Sequence, residues 1–229
     1  MNETLEETSN ETSQALLRRF CIVVVFSIAF AYIEAAVVVY LQTILYPSGF
    51  TFPLAKFSSD LLWKKLLLTE IGRELATMIL ILTSAWLIGR NLRQRFAYFM
   101  VIFAVWDIFY YIWLKVFINW PGSIMDWDIL FLMPIIWAGP ILAPVLVSAA
   151  LFVFAIIILY RHVHNRDIKA DWIDWLGFIV AGAIVVTSFC ISGLHISKPD
   201  FYRHFYWPIF ASGYVLAVIL FAKCLLKTR

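Results

Sequence analysis

Charge is scarce in this chain. Asp, Glu, Lys and Arg make up 14% of its 229 residues, while 63% are hydrophobic. Soluble domains carry roughly 25% charged and 45–50% apolar residues, so a soluble globular class is excluded. The formal net charge is only +3, which gives no basic surface on which to expect nucleic acid as a partner. Cysteine is scarce as well. Cys21, Cys190 and Cys224 are odd in number and form no Cys-x-x-Cys, so neither a disulfide framework nor a zinc ribbon is expected. Short segments of strict polar–apolar alternation are missing, which excludes a membrane barrel. The first residues hold four glutamates and lack the basic start of a secretory signal.

What remains is a set of long apolar runs with a mean hydropathy of +0.86. Several reach the roughly 20 residues needed to cross a bilayer as helix. The expected fold is an all-α membrane protein with about six transmembrane helices, and the bilayer is its first partner. Residues 1–17 read as a polar, disordered tail, and residues 18–229 as one transmembrane domain. The helices are expected at about 20–45, 66–89, 96–118, 137–160, 171–192 and 207–226. Pro47-Ser-Gly-Phe-Thr-Phe-Pro53 marks a turn, and Ser58-Ser-Asp60 offers a cap for the second helix. Pro134, Pro140 and Pro144 interrupt the run before the fourth helix. A short interfacial or re-entrant piece is expected there, near 127–135, packed on the bundle because bare backbone is not tolerated in lipid.

Six crossings put both termini on one side. Arg18, Arg19, Arg90, Arg93, Arg95, Arg161, Arg166, Lys169, Lys223, Lys227 and Arg229 fall on that side. Lys56, Lys64, Lys65, Lys115, Lys198 and Arg203 fall on the other. The positive-inside bias therefore predicts cytoplasmic termini.

Against this apolar background the exceptions stand out. Glu70, Arg73, Glu74 and Thr77 share one face of the second helix, at i, i+3, i+4 and i+7. Asp107, Tyr110 and Tyr111 form a stripe on the third, and Ser27, Ala31, Glu34 and Gln42 lie near one another on the first. By helix rise, Glu70 lies about 6 Å and Glu74 about 12 Å below the extracytoplasmic end, with Glu34 and Asp107 at about 16 Å. One shared acidic pocket follows. Charges at such depth cost about 2.5–3.5 kcal/mol each on insertion scales and are functional candidates by default. Arg73 is expected to pair with Glu70, Glu74 or Asp107, and Lys115 either snorkels outward or adds one more positive charge. Acid is left over in either case. The surplus must hold protons or a counter-ion, and a divalent metal is one cofactor that would meet it. Glu70, Glu74 and Asp107 are the expected ligands, joined by His195 and His204 if their loop covers the pocket.

Glu70-Ile-Gly-Arg-Glu-Leu-Ala-Thr77, Trp106-Asp-Ile-Phe-Tyr-Tyr-Ile-Trp-Leu-Lys115 and Trp127-Asp-Ile-Leu-Phe-Leu-Met-Pro134 resemble stretches in a family of uncharacterised bacterial multi-pass integral membrane proteins. The resemblance spans much of residues 66–147. It implies a bacterial inner-membrane setting and no particular activity. The late His-x-x-x-His of seven-helix zinc hydrolases, His-Glu-x-x-His and Gly-x-Ser-x-Gly are all missing.

Three functions fit these features. The pocket could serve an ion-coupled carrier of a small solute or ion, with Glu34, Glu74 and Asp107 as its ion or proton sites. It could serve a membrane-embedded enzyme acting on a lipid or small amphiphile, either through a metal that activates water or through a carboxyl and a carboxylate that divide the acid and base roles. Lacking any soluble domain, the chain could also be a structural subunit, partnered by further copies of itself or by a membrane complex.

Overall fold

Helix propensity and capping set the boundaries of the elements. The computed structural model describes residues 2–45, 61–133 and 135–227, with side chains placed in 14–44, 64–133 and 135–227. Its helices are α1 (Asn2–Leu45), α2 (Leu61–Ile88), α3 (Leu92–Ile118), α4 (Leu142–Val163), α5 (Trp172–Gly193) and α6 (Trp207–Leu226). All six are long and apolar enough to cross a membrane, so the chain has the makings of a multi-pass membrane protein. The turn at 47–53, the cap at Ser58–Asp60 and the break at Pro134 lie outside the described residues.

Two boundaries differ from the sequence expectation. Residues 2–17, expected as a disordered tail, continue α1 as helix. Glu, Leu, Gln and Ala are good helix formers and extend an existing helix without a new nucleation step. The apolar span itself begins only at Gln14. The second difference is larger. Trp137–Pro140, expected as the first turn of the fourth helix, is a strand. It pairs antiparallel with Trp127–Phe131, and the two form the hairpin β1–β2 with an irregularity between Ile129 and Phe131. Pro140 lacks an N–H and disfavours helical backbone at Gly139 before it. The helix starts at Leu142 instead, with Pro144 in its first turn, where a missing N–H does no harm.

The hairpin is held at its base. Asp126 Oδ2 accepts from the Gly122 and Ser123 amides at 2.7 and 3.1 Å. The Ile141 and Leu142 amides donate to the Asp126 and Ile124 carbonyls at 2.9 and 2.8 Å. The outer face of the hairpin packs on α5, where Gly193 lies directly against the Ile136 backbone.

Helix α3 is the axis of the bundle. Tyr98, Val101, Ile102 and Leu114 on it are fully buried. Helices α1 and α4 pack along its length and α2 along a shorter stretch, while α5 pairs with α6 and meets the rest through β2. Asn91 caps α3, accepting the Gln94 amide at 3.0 Å. The preceding turn is tight. Arg95 stacks over Trp86 at 3.7 Å and donates to the Gly89 carbonyl at 3.1 Å, and a Cβ on Gly89 would come within 2.5 Å of the Arg95 backbone.

Asp171 and Asp174, at the expected start of the fifth helix, form a capping box there. Asp174 also accepts from Lys223 and Lys227 at 2.8 and 2.6 Å. That fastens the start of α5 to the end of α6. Large apolar side chains such as Leu68, Leu87 and Ile179 point away from the bundle, as a lipid-facing surface requires.

Candidate functional site

Five helices and the hairpin enclose one cavity of about 420 Å³. Its polar wall begins on α2. One helical turn brings Glu70 and Arg73 together, and Arg73 Nε donates to Glu70 Oε2 at 2.9 Å. The rest of the guanidinium reaches Glu70 Oε1 and, across to α1, Glu34 Oε1. Thr77 Oγ1 donates weakly to the second Glu34 oxygen at 3.4 Å. A single guanidinium thus serves two carboxylates, a match to its planar fork.

This pairing corrects part of the sequence reading. Arg73 takes Glu34 and Glu70, leaving Glu74 and Asp107 to other partners. Both oxygens of Glu74 accept the Leu132 amide, at 3.1 and 2.9 Å. Leu132 follows β1, so this carboxylate holds the tip of the hairpin. Asp107 Oδ2 accepts from Ser148 on α4 at 2.7 Å. Lys115 turns away, donating to the Asn119 and Pro121 carbonyls at 3.3 and 2.9 Å. There it closes its own helix end and adds no charge to the cavity.

A fifth acid, Asp128 on β1, was missed. The sequence reading places it at the start of the interfacial or re-entrant piece near 127–135 and not in the pocket, because Trp127-Asp-Ile-Leu-Phe shows no alternation that would mark a strand. In the hairpin it turns inward and is buried. Its Oδ1 accepts the Ile129 amide at 2.9 Å, while Oδ2 is buried without a partner. The signal available in sequence was an acid opening an apolar run beside Pro134.

Tyr110 and Tyr111 line the cavity as expected and pack edge-on at 5.0 Å. The Tyr111 phenol bears on Asp128. The indole nitrogens of Trp106 and Trp137 are also buried without partners, and both side chains line the cavity. Gln42 lines it too, but Ser27 bonds back to the Val23 carbonyl and Ala31 packs into the core.

Asp128 lies outside the spanning helices. Burial pushes its carboxyl up to about 7, with Asp107 adding to the rise and the Ile129 amide and Tyr111 opposing it. The folded chain then keeps a proton that the unfolded chain releases near pH 4. Stability linked to this group is full below about pH 4 and is lost as pH rises through about 7. Wild-type protein in detergent is therefore expected to melt at a lower temperature at pH 8 than at pH 5. Asp128→Asn should flatten that difference, measured as melting curves of both proteins across the range. An unchanged slope would contradict the assignment.

The expected metal set does not assemble. His195 and His204 do not line the cavity. They stack on each other at 4.0 Å in the connection between α5 and α6. His195 Nδ1 is 2.9 Å from the Ile191 carbonyl, and His204 Nε2 is 3.3 Å from Asp200. Among the described residues no three His, Cys, Asp or Glu side chains converge as a metal site. The reason is local: Glu70 is engaged by Arg73, Glu74 by the hairpin amide and Asp107 by Ser148. No known family model, curated protein or solved structure matches the chain.

Proposed function

We propose that this protein is a carrier that binds a small organic cation in the acidic cavity and couples its passage to protons. The observation behind this reading is the charge balance of the cavity. Glu34, Glu70, Glu74, Asp107 and Asp128 line it, and Arg73 is the sole cationic side chain among its described lining residues. Arg73 neutralises one of these five charges, and buried uncompensated carboxylates must hold protons or a counter-ion. The free carboxylates are spread over separate walls instead of meeting at a point. A polyatomic cation can bridge such a spread. The other walls agree, since Phe103, Trp106, Tyr110, Tyr111, Phe131 and Trp137 surround the acids. Aromatic faces beside carboxylates suit an ammonium group, each desolvated cation–π contact adding about 0.5–2 kcal/mol. The excess of basic residues on the side of the termini favours cytoplasmic termini, with the acids in the extracytoplasmic half of the membrane; the resemblance to bacterial membrane proteins supports a bacterial inner membrane.

A second reading, an enzyme acting on an amphiphile, draws on Asp107 and Asp128 flanking the Tyr111 phenol, an arrangement capable of acid–base work. The two are separated by reconstitution. Ethyltrimethylammonium carries a permanent charge and is suited to proteoliposome assays. A concentration jump of this cation should evoke a current with the wild type. Glu74→Gln and Asp128→Asn should each lower it about tenfold or more, the loss of roughly one charge-assisted contact. Wild-type currents from both variants would defeat the carrier reading.

A further inference from the structure

The cavity extends well beyond its charged walls. From Asp107, α3 runs back through Phe103 to Phe99, and both line the same space. By helix rise, Phe99 lies about 12 Å from Asp107, towards the end of the bundle that holds the α2–α3 turn. Leu151 on α4 and Gly182, Val185 and Val186 on α5 line the same cavity. The three α5 residues are spaced i, i+3 and i+4, so one face of that helix forms a wall of the arm. These residues present no polar side chain. Gly182 is exposed, and a Cβ added there would meet nothing within 4 Å.

Two of the helices that line the cavity stand apart. The extended packing of α2 is with α3, and that of α5 is with α6 and β2. Both α2 and α5 line the cavity, yet among the described residues they make no extended contact with each other. On the α5 side, Gly182 is exposed at the surface of the bundle. An apolar arm that ends in acids and opens sideways has the form of a receptacle for a chain with a cationic head.

We propose that the arm walled by α3, α4 and α5 takes the single hydrocarbon chain of a cationic amphiphile, which enters from the bilayer and places its head group beside Glu74 and Asp128. This rests on the reading of the acidic walls as a cation site and names the class of cation. Asp128 Oδ2, buried without a hydrogen-bond partner of ordinary geometry and with only the Tyr111 phenol bearing on its carboxyl, marks the head-group end. The bare Gly182 wall is the corresponding space at the chain end.

The test compares two ligands on the full chain, purified in a maltoside detergent: ethyltrimethylammonium and octyltrimethylammonium. Each buried methylene contributes about 0.8 kcal/mol, close to a fourfold change in affinity. Allowing for competing detergent, the octyl compound should bind at least about tenfold more tightly to the wild type. Gly182→Trp fills the arm without touching an acid. It should remove that advantage while leaving ethyltrimethylammonium binding within about twofold. Gly182→Leu should give an intermediate loss and serves if the tryptophan variant does not fold. Because the detergent is the same, partitioning of the ligand cancels between proteins. An octyl advantage unchanged in both variants would overturn the chain site while the cation site stood. Binding of both ligands unchanged by Glu74→Gln and Asp128→Asn would instead overturn the cation site beneath it.

Discussion

Arg73→Leu is expected to destabilise the protein by about 2–4 kcal/mol, somewhat less than the roughly 3–5 kcal/mol for removing one partner from a fully buried ion pair, because this one is part-buried. Arg73 is the shared partner of Glu34 on α1 and Glu70 on α2. Its loss leaves two carboxylates facing a cavity that already holds unpaired acid. The expected readout is a sharp fall in melting temperature, or loss of monodisperse protein on size exclusion. Arg73→Lys should recover only part of the loss, because one ammonium cannot reproduce a fork that binds two acids. The informative control removes the acids as well. A triple variant, Glu34→Gln, Glu70→Gln and Arg73→Met, should regain most of the stability, since neutral groups of similar shape carry little penalty. If the triple variant is as unstable as Arg73→Leu, the guanidinium is holding the helices by packing instead of by charge.

The second large effect is expected at Gly193. A Cβ there would sit 1.8 Å from the Ile136 carbonyl oxygen and 2.6 Å from its carbon. Both are backbone atoms of the segment leading into β2, so no side-chain rotation relieves the clash. Overpacking a core costs about 1–3 kcal/mol when side chains can adjust, and Gly193→Ala should exceed about 3 kcal/mol because they cannot. The hairpin must move away from α5, carrying Asp128 and Leu132 with it, so ligand binding should fail together with stability. Gly72→Ala provides the contrast. Its Cβ would meet nothing within 4 Å, and in a helix interior alanine is favoured over glycine by about 0.5–1 kcal/mol. Melting curves of the two variants should shift in opposite directions. Equal shifts would mean that Gly193 does not bear on the Ile136 backbone.

The helices were legible in the sequence because lipid imposes a simple demand of length and apolarity, which six segments meet. The wall carrying Glu70, Arg73 and Glu74 was legible for a related reason: charges against an apolar background show their helical spacing plainly. The hairpin was not. Its residues are apolar on both faces because one side packs on α5 and the other lines the cavity, so neither strand alternation nor helical periodicity appears. That same lack of pattern hid Asp128. The partners of Arg73 were only half legible. Glu70 follows from spacing along one helix, whereas choosing Glu34 over Glu74 depends on how α1 lies against α2, which no local pattern encodes. The histidines misled for the opposite reason. Their position near the bundle end suggested a lid, but the two rings stack on each other, with His195 against the Ile191 carbonyl of α5 and His204 3.3 Å from Asp200.

The contact between Glu74 and the Leu132 amide has a thermodynamic consequence. One carboxylate both lines the cavity and tethers the hairpin, so it is a common term in two equilibria. Anything that takes up its charge, whether a proton or a ligand head group, weakens its hold on the amide. By reciprocity, any force that lifts the hairpin frees Glu74 and raises its affinity for that charge by the same factor. Occupancy of the cavity and position of the hairpin are therefore linked functions, with Glu74 as the point of exchange between them.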